Sequence, residues 1–535
     1  MIEHKDEKTS IPRSNRYVVV IDLGSTGIKA AVVSDSGDVI SSAYEKIDVH
    51  LLENEGAEQD ADQWWNNSKA AAKRAIQESG VSPDNIVAVC CDSQYSVIVP
   101  VDEQARPLMR AVHWLDKRGG IHNRKISKGL INIEGYGLTK IIRWLKISGL
   151  APTSSGIDSL GHMLVIKNEF PDIYRKTYKF LEPMDFLTAQ LTGRITATQH
   201  SVSLMMVASN QKWDTQEYSN TLLKLAGIDK EKLPDLIPNG SVVGPLLPSV
   251  AEELGLRAST QVVSGLFDNH AAAIGSGIVD NYECLLIVAT TLSLNGHVPF
   301  KKTDINTSIV SVPGCLKDKY MLICEQGLGG KCLEFYLSNI VCHEDEFCFG
   351  PMPDDAYERL NRIAEKVPPG SGNVLFLPWL NGSVTPKLNG SARGGFFNLS
   401  LNSSRSHLTR AIMEGVAFDS RSAIKPLEKF MGKKIEKLRF AGGGALSDVW
   451  AQIYADVTGI PIHQIADPVN ATCRGAALQG LATLRYLKLE DIPGLVKVKQ
   501  VFEPIKSNQK IYEKLFKQFR AILDNNKKVY DALNS

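Results

Sequence analysis

Two stretches of the sequence, about half a chain apart, share one pattern: an apolar strand, a turn of small or hydroxyl residues, and a second apolar strand. The first is Val18–Val33, which turns at residues 24–27. The second starts at Asn281 and turns at Ala289-Thr290-Thr291. The chain has 535 residues, too many for one hydrophobic core. One α/β module present twice, with a cleft between the copies, is the economical explanation, and a chance similarity of two hairpins is the alternative.

Composition excludes several classes of function. The net charge of +1 gives no basic surface for nucleic acid, and no apolar run is long enough to span a bilayer. Residues 1–15 are polar, lack the apolar core of a signal peptide, and are expected to form a flexible tail. The nine cysteines are odd in number and form no Cys-x-x-Cys pair, so we expect reduced thiols in a cytoplasmic protein.

Local patterns predict the organisation of each half. Residues 16–49 predict three strands, and Ala61–Ser79 predicts a helix capped near Asp60. The Pro- and Gly-rich stretch 234–248 predicts a surface connection. Residues 505–535 have apolar side chains at helical spacing and predict a C-terminal helix that packs on the core.

The turn after the first strand has the residues of a phosphate site. Backbone N–H groups of a Gly-rich turn can point at one anion, Ser25 and Thr26 add hydroxyl donors, and Lys29 adds charge. Asp22 ends the strand and can hold Mg²⁺ through water. No Gly-x-x-x-x-Gly-Lys-Ser/Thr motif is present, so this is not a P-loop. A hairpin with a surface aspartate is the alternative.

Two further segments are candidates for chemistry. Asp268 follows an apolar strand and precedes a helix of small residues, so it could accept a proton from a substrate hydroxyl or simply cap the helix. Gly442–Gly444 follow another strand and would let a flat group lie close to the backbone, with a helix starting at Ser447. Tight packing of strand on helix is the alternative there.

Taken together, these segments resemble the FGGY carbohydrate kinases, in the superfamily of actin-like and heat-shock-chaperone-like ATPases. The resemblance runs from about Tyr17 to Leu487 and rests on the order and spacing of several pieces. They are IDLGSTGIKA, AVHWLDKRG, TYKFLEPMDFLTAQLTG, SGLFDNHAAAIG, the Gly-Ser-Gly run at 370–372 with NVLFLPWLNG, RAIMEGVAF, and FAGGGALSDVWAQIYADVTGIPI.

The resemblance implies an α/β protein of two ribonuclease-H-like domains, a sugar-binding domain at 16–265 and a nucleotide-binding domain at 266–490, with ATP and sugar in the cleft between them. It implies that Asp268 is the general base and that Asp22 is the Mg²⁺ partner. The residues implied to face ATP are Gly24, Ser25, Thr26, Lys29, Thr290, Thr291, Gly443, Gly444 and Ala445. Those implied to hold sugar hydroxyls are Gln94, Trp114, Asp116, Asp268 and Asn269.

The sequence departs from the family pattern in two places. The second phosphate turn usually reads Gly-Thr-Ser, whereas Ala289 opens it here; alanine disfavours a positive φ, so the turn is expected to sit differently. Xylulose kinases typically have Gln-Met-His-Gly where this chain has Gln94-Tyr95-Ser96-Val97, and Asn269 after the catalytic aspartate is similar to the xylulose kinase pattern. For Trp114 the alternative is core packing, and for Asp116 with Arg118 it is a surface ion pair.

The leading hypothesis is an ATP-dependent kinase of a pentulose, D-xylulose first and D-ribulose second. Kinases of gluconate or an erythritol-type polyol are alternatives, as is a non-catalytic nucleotide-binding regulator, which Ala289 alone supports. A chaperone or actin-like polymer is disfavoured because no separate peptide-binding module follows the two halves. The expected partner is a small sugar, without nucleic acid or membrane, and a homodimer is one assembly open to the chain.

Overall fold

The first large sheet forms around the opening strand–turn–strand. The computed structural model describes residues 15–133, 136–343, 345 and 351–534. Seven strands make up this sheet: β1 (Tyr17–Leu23), β2 (Gly27–Ser34), β3 (Val39–Lys46), β4 (Ile86–Ser93), β5 (Val242–Pro245), β6 (Gln261–Val263) and β7 (Leu266–Phe267). Their order is β5-β6-β4-β1-β2-β3, and β7 pairs with β4. The strands β1 to β3 are antiparallel, whereas β4 runs parallel to β1 and β6.

The second large sheet repeats this topology. Its eight strands are β8 (Cys284–Val288), β9 (Thr291–Val298), β10 (Lys302–Asp304), β11 (Ile309–Pro313), β12 (Tyr320–Leu328), β13 (Leu438–Ala441), β14 (Ile462–Ile465) and β15 (Val498–Phe502). Their order is β10-β11-β12-β9-β8-β13-β14-β15. Here β8 pairs antiparallel with β9 and parallel with β13, as β1 does with β2 and β4. The prediction of one module present twice is confirmed.

Helices cover both sheets. In chain order the first group is α1 (Ala61–Ser79), α2 (Gly119–Ser127), α3 (Leu138–Ile147), α4 (Ser159–Glu169), α5 (Pro171–Lys176), α6 (Pro183–Thr192), α7 (Asn220–Ala226), α8 (Pro248–Leu254) and α9 (Asp268–Gly275). The second group is α10 (Lys331–Tyr336), α11 (Ala356–Glu365), α12 (Arg405–Met431), α13 (Asp448–Thr458), α14 (Ala471–Thr483), α15 (Ile492–Leu495), α16 (Lys506–Asn525) and α17 (Lys527–Asn534). The helix predicted over Ala61–Ser79 is present with its Asp60 cap.

Small two- and three-residue strands complete the fold. They lie at His50–Leu51, Ala57–Gln59, Val99–Val101, Ala111–Val112, Asn132–Ile133, Tyr136–Gly137, Lys179–Leu181, Thr196–Thr198, Asp235–Ile237, Leu375–Leu377 and Gly395–Phe397. Across the described ranges, no helix is both long and apolar enough to cross a bilayer. The cysteines of those ranges are free thiols, most of them buried.

Two helices join the halves of the molecule. Helices α9 and α14 cross at Gly275 and Gly475, where the backbones touch. A Cβ added at Gly475 would lie 1.7 Å from the carbonyl oxygen of Ala271, and one at Gly275 would lie 1.8 Å from that of Ala471. An apolar cluster continues from this crossing to the inner faces of both sheets. The halves therefore meet through backbone contact that only glycine permits.

Some expectations differ from the structure. The stretch 234–248 is not merely a surface connection, because β5 lies within it and forms the edge of the first sheet. The predicted C-terminal helix is two helices, because α16 ends at Asn525 with Asn526 as its cap and α17 begins at Lys527. Residues 1–14 of the predicted tail lie outside the described residues, and the domain boundaries stay predictions.

Candidate active site

Three carboxylates meet where strands of the first sheet end. Asp22 is near the end of β1, and Asp92 is its register partner on the parallel strand β4. Leu266 of β7 pairs with Asp92, and Asp268 follows directly as the first residue of α9. Because the carboxyl ends of parallel strands share one edge of a sheet, the fold brings these side chains together from positions far apart in the sequence.

Asp268 has the environment of a proton acceptor. Its Oδ1 accepts from the backbone N–H of Asn269 at 2.6 Å, and within the described ranges its Oδ2 makes no hydrogen bond. Desolvation first, and then the charges of Asp22 and Glu325, raise the pKa of Asp268 to about 7. The alternative of a simple helix cap is not supported, since Phe267 holds the cap position and no side chain caps α9.

Asp92 was missed by the sequence analysis. It is fully buried, and neither of its carboxylate oxygens has a hydrogen-bond partner in the part of the chain described here. Burial, followed by the charges of Asp22 and Asp268, holds the pKa of Asp92 well above its usual range. An aspartate in the otherwise apolar strand Ile86–Ser93 was the available signal. Two adjacent carboxylates of this kind favour either a shared proton or a cation.

The first phosphate turn is held from both halves of the molecule. Asp22 Oδ2 accepts from the Thr472 hydroxyl at 2.7 Å, and the Lys29 ammonium donates to the carbonyl of Val469 at 2.8 Å. The Ser25 hydroxyl accepts from the indole N–H of Trp114 at 2.9 Å. Together these bonds fix the turn against the start of α14 and against the proposed sugar side.

Hydrogen bonds and close packing within the first sheet also hold this turn. The Gly24 N–H donates to the carbonyl of Gly27 at 3.0 Å, and Gly27 packs so closely on Tyr44 that an added Cβ would collide with the ring. Thr26 is exposed, while its carbonyl accepts from the Tyr44 hydroxyl at 3.1 Å. Thr26 thus lies on the exposed side of the turn.

The second phosphate turn tolerates alanine without strain. The positive φ angles recorded in the described ranges do not include Ala289, so the expected displacement of this turn has no backbone cause. Its carbonyl accepts from Gly330 at 2.6 Å, and the Thr290 carbonyl accepts from Gly329 at 3.0 Å. A Cβ at Gly329 would lie 2.6 Å from the Thr291 carbonyl oxygen, so glycine is needed on the facing loop rather than at position 289.

The third turn, Gly442 to Ala445, packs on the end of β8. A Cβ at Gly442 would lie 2.6 Å from the Val288 carbonyl oxygen, and one at Gly444 would lie 2.6 Å from Val288 Cγ1. Gly443, in contrast, faces open space. Ala445 is buried, Leu446 is 61 % exposed, and Ser447 caps α13 as expected. Close packing and an accessible flat surface therefore coexist in one turn.

The side chains predicted to bind the sugar already make hydrogen bonds within the protein. Gln94 donates to Gln59 at 2.7 Å and contacts His113 at 3.1 Å, and Gln59 donates to the carbonyl of Ser25. Trp114 is partly buried and bonds the first turn, so it does more than fill the core. These residues form one connected layer beside the first phosphate turn.

Asp116 is engaged inside the protein. Its Oδ2 accepts from the N–H of Ala57 and from Arg118, which also donates to Glu58 at 2.9 Å. The Asp116 side chain is fully buried and that of Arg118 is 5 % exposed, so the alternative of a surface ion pair is wrong. Arg118 therefore pairs with both Asp116 and Glu58 inside the protein. A sugar contact by Asp116 stays a prediction.

Asn269 belongs to a second polar group that the sequence did not reveal. Its side-chain amide donates to the Tyr95 hydroxyl and to Glu325 Oε1, each at 3.0 Å. Tyr95 itself donates to Glu325 Oε1 at 3.2 Å. Glu325 comes from β12 in the other sheet and carries no motif of its own. The group therefore connects the segment after Asp268 to both halves of the molecule.

Two large sheets of one topology are the arrangement of the actin-like ATPase fold. The N-terminal domain model of the FGGY family of carbohydrate kinases matches residues 17–275, and the C-terminal domain model matches residues 284–484. The chain belongs to the FGGY family of carbohydrate kinases, and it is a sugar kinase.

Relatives agree on the family but differ in substrate. A xylulose kinase of Bacillus subtilis (strain 168) is 26% identical over 97% of this chain and 99% of its own. A gluconokinase of the same strain is 25% identical over 94% of each. The crystal structure of ligand-bound xylulose kinase from Lactobacillus acidophilus superimposes with a TM-score of 0.82 at 20% identity, covering 97% of this chain and 100% of the other.

Proposed function

We propose that this sugar kinase transfers the terminal phosphoryl group of ATP to a hydroxyl of a pentulose, D-xylulose first and D-ribulose second. The observation that carries the proposal is Asp268, with one carboxylate oxygen free and a pKa of about 7. A carboxylate with that pKa is ionised in about half of the molecules at neutral pH and is still basic enough to accept a hydroxyl proton.

The turn residues support ATP as the phosphoryl donor. The two phosphate turns offer backbone N–H groups and the hydroxyls of Ser25, Thr26 and Thr291. The open face of Gly443 and the exposed side chain of Leu446 offer a flat apolar surface for a purine. Phosphoryl transfer needs little covalent help from the protein, because positioning and neutralisation of charge supply most of the catalysis.

Asp22 and Asp92 are the residues that would hold Mg²⁺. The buried oxygens of Asp92 lack partners, and a divalent cation or its water ligands would satisfy them. Within the described ranges, no group of three or more His, Cys, Asp or Glu side chains is arranged around a metal position. One or two carboxylates, completed by water and nucleotide phosphates, is the pattern that Mg²⁺ adopts in kinases. Bound Mg²⁺ would neutralise the charge of those phosphates.

The proposed chemistry of the chain is a single proton transfer coupled to the displacement. Asp268 accepts the proton of the attacking hydroxyl at Oδ2, while Asn269 fixes Oδ1. Gln94 and Trp114 orient the sugar beside the first phosphate turn, and Lys29 adds positive charge there. A cytoplasmic location and a homodimer stay predictions.

A second candidate, a kinase of an aldonate, is favoured by the gluconokinase relative. A coupled assay of ADP release across pentuloses, hexuloses, polyols and aldonates separates the two. We expect the highest kcat/KM with a pentulose. Absence of ADP release with every sugar tested would contradict the proposal and favour a non-catalytic regulator.

A further inference from the structure

We propose that Glu325, held in place by Tyr95 and Asn269, makes this site selective for an uncharged open-chain ketose or polyol and excludes an aldonate. The inference rests on the proposed sugar-phosphorylating function of the same site. Glu325 then contacts the acceptor and determines which of the two substrate classes of the relatives, ketoses or aldonates, the site accepts.

The position of Glu325 is fixed by hydrogen bonds. Its Oε1 accepts from the Asn269 amide and from the Tyr95 hydroxyl, and Asn269 also donates to Tyr95. Tyr95 packs on Phe267 with ring centroids 5.0 Å apart. Because Asn269 and Phe267 flank Asp268, these contacts fix the Glu325 carboxylate beside the proposed base.

The second oxygen of Glu325 is available to a ligand. The side chain is only partly buried, and Oε2 makes no hydrogen bond within the described ranges. A carboxylate oxygen only accepts hydrogen bonds. A sugar hydroxyl can donate to it, whereas the carboxylate of an aldonate has no proton to donate at neutral pH.

The negative charge of Glu325 also disfavours an aldonate. Burial raises the pKa of Glu325, and only the neutral donors Tyr95 and Asn269 oppose that shift. Glu325 makes no ion pair with a Lys, Arg or His side chain within the described ranges. A carboxylate that the substrate brings beside Glu325 therefore meets electrostatic repulsion that the desolvated site strengthens.

The test compares D-xylulose, D-ribulose and erythritol with D-gluconate in the coupled ADP assay. For the parent protein we expect kcat/KM for the best neutral acceptor to exceed that for gluconate by roughly 10²-fold. In Glu325→Gln, gluconate should gain roughly tenfold, mainly through a lower KM, while the neutral acceptor loses activity. Glu358→Gln removes an exposed charge from α11 and should leave the ratio unchanged.

Each outcome decides a separate point. Equal or better use of gluconate by the parent protein would overturn this inference and leave sugar phosphorylation standing. An unchanged ratio in Glu325→Gln would overturn the role of Glu325. Tyr95→Phe, which loosens the same carboxylate, gives a second variant if Glu325→Gln does not fold, and an unchanged ratio there would count equally against the role. Failure with every acceptor would instead overturn the proposed function, and this inference with it.

Discussion

Asp22 and Asp92 are register partners on parallel strands, and Asp22 also accepts a hydrogen bond from Thr472 of the other half of the molecule. The same pair thus joins the first phosphate turn, the buried edge of the first sheet and the start of α14. The arrangement gives a reason for an aspartate near the end of the apolar strand β1. Asp22 lies where the two halves of the molecule and the nucleotide phosphates would meet.

The first prediction concerns Mg²⁺. Asp22→Asn and Asp92→Asn should each raise the Mg²⁺ concentration needed for half-maximal activity by roughly tenfold or more, because each removes a carboxylate from the proposed cation site. The affinity for sugar, measured by calorimetry, should change little. Asp84→Asn, at an exposed ion pair with Arg257, is the control. Mg²⁺ titration curves that match those of the parent protein would show that Asp22 and Asp92 have only a structural role.

The second prediction concerns the base. Asp268→Asn keeps the size of the side chain and removes its basicity, so kcat should fall by ~10²–10⁴-fold. Binding of ATP should persist, because the phosphate turns do not depend on this carboxylate. Asp280→Asn, an exposed acid near Lys319, serves as control. Parent-like turnover in Asp268→Asn would contradict the assignment.

The third prediction is a pH profile. The base acts in its ionised form, and its pKa is raised to about 7. Log kcat/KM should therefore rise with pH below about 7 and level off above it. Glu325 contributes to that raised pKa, so Glu325→Gln should move the rise to lower pH. A flat profile between pH 5.5 and 8 would show that ionisation of Asp268 does not limit the reaction.

The fourth prediction concerns the crossing of α9 and α14. Gly475→Ala places a methyl group 1.7 Å from the carbonyl oxygen of Ala271, so the helices must separate. We expect a loss of about 1–3 kcal/mol in the free energy of unfolding, measured with urea. Gly494→Ala adds the same methyl group in open space and should have little effect. Equal stability of the two variants would show that the crossing is not tightly packed.

The parts of the site that were predictable from sequence are those with a local pattern. Asp22 lies near the end of a strand and Asp268 directly follows one, and each precedes a turn or helix of small residues. This local pattern can be recognised without knowledge of the tertiary fold. Asp92 and Glu325 carry no such signal. Each is one acid in an apolar strand, and its nearness to Asp268 depends on strand order and on the facing of two sheets.

Contacts between residues distant in sequence also explain why two expectations differ from the structure. At Ala289 the residue type suggested a strained turn, but the glycines that this turn needs are residues 329 and 330, in the loop that follows β12. A surface ion pair was one interpretation of Asp116 and Arg118, whereas both side chains are buried and Arg118 also pairs with Glu58 of the strand Ala57–Gln59. Tertiary partners decided both cases.

The central claim is tested most directly by following the phosphoryl group itself. Phosphorus NMR of the parent protein with Mg²⁺–ATP and D-xylulose should show a sugar phosphate appearing in step with ADP, and Asp268→Asn should show neither at a comparable rate. Loss of ATP with release of inorganic phosphate and no sugar phosphate, at the same rate in both proteins, would contradict the account.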